Sequence, residues 1–167
     1  GPGFDALGLA LGLYNTCEFR PSNDKEIFEE NLKENLIYQA YKYSFDFYKE
    51  KLVPVVFDLE ADIPVSRGLG SSAVCIVMGI MAAFDIMGRD FDKKEILKIA
   101  IAIEGHPDNV APAIFGGAVV SILENNQVYL EKIAISDKFK FLALIPDFRL
   151  STKEARGALP ETYPKAD

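Results

Sequence analysis

Pro64-Val-Ser-Arg-Gly-Leu-Gly-Ser-Ser-Ala73 sits directly ahead of an apolar run, Val74 to Met87, that carries no charge until Asp85. Glycine at positions 68 and 70 admits backbone conformations with positive φ, and Ser71 and Ser72 place hydroxyls at the first turn of the helix the run predicts. A helix N-terminus offers unpaired N–H donors and the positive end of the macrodipole, so the stretch has the chemistry of an anion cradle that needs no lysine. The same ten residues also suit a glycine-rich turn with a serine cap, and both readings stay open on this stretch alone. Without a Gly-Lys-Ser/Thr sequence it is not a Walker A loop, and one Gly-x-Gly is too little for a dinucleotide fingerprint.

The chain has 167 residues, 49% hydrophobic and 26% charged, which is ordinary globular composition. Its formal charge of −7 and pI near 4.8 exclude a general nucleic-acid binder, which needs a basic stripe. A phosphate ligand must then be met locally. Only Cys17 and Cys75 occur. Both lie in apolar surroundings, which predicts reduced core residues of a cytoplasmic protein with neither zinc nor a disulfide framework. No signal peptide or membrane span is expected, since Val74 to Met87 is too short to cross a bilayer. The opening Gly-Pro-Gly-Phe-Asp begins in what reads as a loop, so the chain is expected to be a fragment.

Around the Pro64 stretch the elements read as follows. Leu7 to Phe19 predicts one buried strand, with Asp5 in the turn before it as a turn former or a ligand contact. From Glu26 to Leu52 apolar residues recur at three- and four-residue spacing, one long amphipathic helix or two abutting ones, with the aromatics Tyr38, Tyr41, Tyr43, Phe45, Phe47 and Tyr48 read as core packing. Val53 to Leu59 predicts a strand with Pro54 at an edge or end. Leu69 to Met87 predicts a buried helix closed by Gly88, and Asp92 to Glu104 a second with Asp92 as cap. Ala118 to Leu123 and Val128 to Ile133 form a predicted hairpin around Asn125-Asn126, Phe139 to Pro146 a further strand, and Ser151 to Arg156 a short helix opened by a capping box. Strands interspersed with helices imply an α+β fold, a mixed β-sheet layer covered by helices.

The second stretch rich in chemistry is Glu104-Gly-His-Pro-Asp-Asn-Val-Ala-Pro-Ala113, which holds the only histidine of the chain beside two acids and an asparagine. It reads as a polar connection with Asp108 as a helix cap, or as a site loop in which a carboxylate holds Mg²⁺ while imidazole and amide orient a polar substrate.

The Pro64 to Ala73 run resembles the phosphate-binding motif of the GHMP kinases. Gly1-Pro-Gly-Phe-Asp-Ala-Leu-Gly-Leu-Ala10, Glu104 to Ala113, and Ser151-Thr-Lys-Glu-Ala-Arg156 with Leu159-Pro160 resemble the homoserine kinases within that superfamily. Four segments in the same order cover nearly the whole chain. The resemblance implies the GHMP kinase N-terminal fold, like domain 2 of ribosomal protein S5. It implies an ATP-binding domain over 1–147, its first strand truncated, and the truncated start of a substrate domain over 148–167.

The implied reaction is transfer of the ATP γ-phosphoryl group to the side-chain hydroxyl of L-homoserine, a step of threonine biosynthesis. The alternatives are a relative acting on another small alcohol and a non-catalytic binding fragment. By resemblance Pro64, Arg67, Gly68, Leu69, Gly70, Ser71, Ser72 and Ala73 bind ATP. Ser71 and Glu104 hold Mg²⁺, and Asp5, His106, Asn109 and Arg156 surround homoserine. Asn109, Glu104 and Ser71 form the catalytic group, with Asp108 as a cap. Neither nucleic acid nor membrane is an implied partner, and a homodimer is left open. The fragment alone is not expected to turn over.

Overall fold

The backbone turns at Gly3, whose carbonyl accepts hydrogen bonds from the amides of Ala6 and Leu7 at 3.1 and 2.8 Å, and then forms two strands where the sequence predicts one. In the computed structural model, which describes residues 3, 5–125, 127–145, 147 and 148, β1 is Leu7–Leu9 and β2 is Asn15–Pro21. The bend between them, around Gly12, carries the chain from one sheet to another. β2 alternates half-buried and exposed positions, as a strand with one covered face does, and is not buried throughout.

The helical periodicity that follows divides in two. Helix α1 (Lys25–Leu32) starts where the Ile27 amide donates to the Asp24 carboxylate at 3.2 Å. Helix α2 (Leu36–Tyr48) starts where the Ile37 amide donates to the Asn35 side chain at 2.9 Å. Each cap satisfies a donor that the first helical turn leaves unpaired. Tyr38, Tyr41 and Phe45 are buried and Tyr48 packs half-buried against the core, whereas Tyr43 and Phe47 are 39% and 40% exposed, each two residues from a buried ring and so on another side of the helix. The Tyr38 ring meets Phe57 edge-on at 4.7 Å, and the Tyr41 hydroxyl donates to the Val53 carbonyl at 2.9 Å. That bond satisfies the one polar atom of a residue otherwise fully enclosed.

Strand β3 (Val55–Ala61) follows Pro54 and runs antiparallel to β2, from Pro21 opposite Val55 to Asn15 opposite Ala61. Helix α3 (Ser71–Ile86) is the apolar run, and Ile76, Ile80 and Phe84 along it are fully buried. Gly88, at φ 66°, ends it as expected. Helix α4 (Lys93–Glu104) is capped by Asp92, which accepts from the Lys94 amide at 2.7 Å, and closed by Gly105 at φ 93°. A short helix α5 (Val110–Phe115) leads into the hairpin β4 (Ala118–Glu124) and β5 (Gln127–Ile133). β4 lies between β1 and β5, antiparallel to both, with Leu7 opposite Val120.

The fold is α+β, with helices packed on sheets as the sequence implies. Its described strands form two small antiparallel sheets, β1-β4-β5 and β2-β3, and not one mixed layer. The strand predicted over 139–146 is not formed across its described part, where residues 139–145 have no regular structure. Leu142 and Leu144 are each 85% exposed. A β-prone run becomes a strand only beside a partner that takes its hydrogen bonds, and among the described residues none pairs with it. The helix predicted over 151–156 and the domain proposed over 148–167 lie, beyond Phe148, outside the described residues.

α2 and α3 approach closely at Gly79, where a Cβ would stand 2.2 Å from the Ile37 carbonyl oxygen and 3.0 Å from the Ala40 Cβ. Gly79→Ala is expected to destabilise the fold by about 1–3 kcal/mol, the range for overpacking a tight interior. Urea titration of both proteins measures it, and an unchanged midpoint would contradict the close approach.

Candidate active site

The loop from Pro64 to Gly70 alternates in and out of the left-handed region, with Ser66 at φ 57°, Gly68 at 72° and Gly70 at 74°. Ser66 holds this conformation without being glycine, the kind of local strain that concentrates at working sites. Gly70 is the cap residue of α3 and offers no side chain, while its carbonyl accepts from the Val74 amide at 3.1 Å. The amides of Ser71, Ser72 and Ala73 therefore belong to the first turn, where a helix has no acceptor of its own to give them. Ala73 is fully buried and Ile63 nearly so. The core thus grips the loop on both sides while the turn faces out.

Glu104 ends α4, and the Ser72 hydroxyl donates to its carboxylate at 3.2 Å. The hydroxyl that the fold brings to Glu104 is that of Ser72, where the resemblance had favoured Ser71. Arg67 is half-buried, and its guanidinium donates to the Asp147 carbonyl at 2.8 Å. It therefore ties the loop to the segment after β5.

The His106 loop meets the same place from the other side. Asp108 does not cap α5: the cap position is Asn109, with no side-chain cap hydrogen bond. The Asp108 carboxylate instead pairs with Nδ1 of His106 and accepts from Nδ2 of Asn109 at 3.3 Å. A nearby imidazole outcompetes the backbone amides a cap would serve. Asp5, itself at φ 60°, brings its carboxylate to the pair, with ligand atoms of Asp5, His106 and Asp108 all within 4.8 Å of one another. Gly8 makes this possible. A Cβ there would fall 2.0 Å from the Asp108 carbonyl oxygen, so β1 lies against the loop with no room for a side chain between. Asn109 reaches the first loop, its Oδ1 lying 3.7 Å from where a Gly70 Cβ would stand. Arg156 lies outside the described residues.

One open groove of about 1060 Å³ is lined by the Val65 to Ser72 loop, Glu104, His106 and Asn109. Its far wall, Glu30 to Leu36 between α1 and α2, went unread in the sequence. The only local signal was Asn31 and Asn35 bracketing Lys33 between two helical periodicities. A second, more apolar hollow of about 500 Å³ lies across Gly68 to Gly70, against Leu9 to Asn15. Cys75 borders the groove and is half-buried, as is Cys17, so neither is the enclosed core thiol the sequence implied. Burial raises both thiol pKa values. Cys75 and Asp58 raise that of Cys17 further. Among the described residues no helix is long and apolar enough to cross a membrane.

Residues 35–117 match the N-terminal domain model of the GHMP kinases. A homoserine kinase of Clostridium botulinum is 51% identical over 173 residues, covering the whole chain and 58% of that protein. The chain thus spans somewhat over half the length of the curated relatives it matches. A Listeria monocytogenes structure assigned as a homoserine kinase is 32% identical, with TM-score 0.70 over 94% of this chain and 60% of that one. The homoserine kinase structure of Cytophaga hutchinsonii, at 22% identity, shares the fold with TM-score 0.77 over 98% and 57%.

Because its thiol pKa is raised, native Cys75 holds less thiolate at a given pH than an unfolded cysteine does. Its alkylation by iodoacetamide is expected to be slower in the native chain than in urea, with the rate climbing at higher pH. Mass-resolved alkylation checks this, and a native rate equal to or above the unfolded one would contradict it.

Proposed function

We propose that this chain, whose residues 35–117 match the N-terminal domain of the GHMP kinases, forms the ATP-binding part of an enzyme that phosphorylates the side-chain hydroxyl of L-homoserine. The observation that carries the reading is convergence. The N-terminus of α3, the Ser72–Glu104 pair, His106 and Asn109 line one groove. Phosphoryl transfer asks a protein mainly to hold two oxygens in line and to spread charge, and these groups do both.

In this reading the first-turn amides of α3 and the hydroxyls of Ser71 and Ser72 hold the ATP phosphates, with the positive-φ glycines keeping side chains out of the way. The wall from Glu30 to Leu36 flanks the nucleoside. Glu104 and Ser72 supply a carboxylate and a hydroxyl 3.2 Å apart, hard oxygen donors that suit Mg²⁺ and that stand beside the phosphate cradle. When bound, the ion neutralises charge on the phosphates. Asp5, His106 and Asn109 orient homoserine, and Arg156 is assigned its carboxylate by resemblance, a pairing the bidentate guanidinium fork favours. Asn109 is no base, and none is needed where positioning and charge neutralisation dominate. In this reading the protein works in the cytoplasm, where ATP and free amino acids meet.

The test is a coupled ADP-release assay on the full-length gene product with L-homoserine, mevalonate and galactose. Homoserine alone should give a rate. Ser72→Ala and Glu104→Gln should each lower kcat/KM by about 10²-fold, the scale of losing one charge-stabilising contact at the transferred group, with Ser71→Ala costing less. A rate with another alcohol only, or a greater loss for Ser71→Ala than for Ser72→Ala, would overturn the corresponding assignment.

A further inference from the structure

Asp108 is the one polar side chain of the His106 loop to which the phosphoryl-transfer reading gives no task, yet its contacts are specific. A single oxygen, Oδ1, serves two neighbours, Nδ1 of His106 and Nδ2 of Asn109. An ionised carboxylate only accepts, so each neighbour must turn a hydrogen toward it. In the neutral imidazole the proton then sits on Nδ1 and leaves a lone pair on Nε2. The Asn109 amide likewise directs its NH₂ to Asp108 and its Oδ1 elsewhere. That Oδ1 is the atom near Gly70.

We propose that Asp108 is a positioning residue that holds His106 as the Nδ1–H tautomer and Asn109 with its carbonyl oxygen toward the phosphate loop. Both side chains then offer acceptors to the groove they line. With the Asp5 carboxylate close by, this corner is built to receive hydrogen-bond donors. It takes the ammonium or hydroxyl end of an amino alcohol and turns its carboxylate away. This last step rests on the homoserine reading, whereas the tautomer and the amide orientation do not.

His106 is the only histidine of the chain, so nitrogen NMR of the ring has a single assignment, and pH above the ring's titration isolates the neutral form. The wild-type chain should show a pyrrole-type Nδ1 and a pyridine-type Nε2. Asp108→Asn keeps the shape but can donate to Nδ1, so it should move the ring toward Nε2–H, as the equivalent change does in serine proteases. Asp108→Ala should give the Nε2–H form that free histidine prefers. A wild-type ring already in the Nε2–H form overturns the proposal, and so do two folded variants that both keep Nδ1–H. Should neither variant fold, the wild-type spectrum decides alone.

In the full-length gene product Asp108→Asn should raise KM for homoserine about tenfold, the worth of one charge-assisted hydrogen bond, and leave KM for ATP unchanged. A shifted tautomer with an unchanged homoserine KM would overturn the substrate step and leave the positioning role standing. Absence of any homoserine turnover in the wild type would instead count against the kinase reading.

Discussion

The carbonyl of Ile37 lies where a side chain on Gly79 would have to go, and this contact between α2 and α3 anchors much of the rest. Because α3 is apolar on nearly all sides, most of it must be covered, and the glycine lets α2 press close enough to do so, leaving only a stripe that includes Met81 open. α4 and the buried start of α5 cover it as well, with Ile99, Ala100, Val110 and Ala111 in the same cluster. A helix gripped along its length has a fixed end. The first turn at Ser71 to Ala73 therefore stands at the groove as a rigid donor set, already oriented before any anion arrives.

Two other constraints bring partners to that end. Glu104 is the last residue of α4, so the Ser72–Glu104 hydrogen bond joins the start of one helix to the finish of the next. Gly8 lets β1 lie directly on the His106 loop. β1 in turn is registered on β4, and the amide of Ser121 donates to the Ala6 carbonyl at 2.8 Å. Asp5 thus reaches His106 and Asp108 through the edge of a sheet whose other strands lie more than a hundred residues later. In a chain of charge −7, the start of α3 draws its positive potential from backbone amides, a source that acid-rich surroundings do not remove.

What the sequence disclosed and what it hid follow from this arrangement. The buried helix from Leu69 to Met87, the positive φ at Gly68 and Gly70, the Asp92 cap and the hairpin around Asn125 were legible because each depends on neighbours in the chain. Gly79 was not, since a glycine inside an apolar run shows nothing of the carbonyl facing it. The division of Leu7 to Phe19 was hidden because both halves have strand character and only their distant partners, Val120 and Leu59 among them, separate them. Phe139 to Ile145 has the composition of a strand and no described partner. Asp108 looked like a cap by position, and the imidazole two residues earlier redirected it. The groove wall at Glu30 to Leu36 exists only once α2 has packed on α3.

In the proposed reading the two glycine-bearing loops form one nucleotide groove, and the apolar hollow across Gly68 to Gly70 is not that groove. Amide chemical-shift mapping with Mg-ATP tests it most directly, since it reads location and needs no turnover. Shifts are expected to concentrate at Ser66 to Ala73, Glu104 and Asn31 to Leu36. Shifts confined to Leu9 to Asn15, or none at saturating nucleotide, would contradict it.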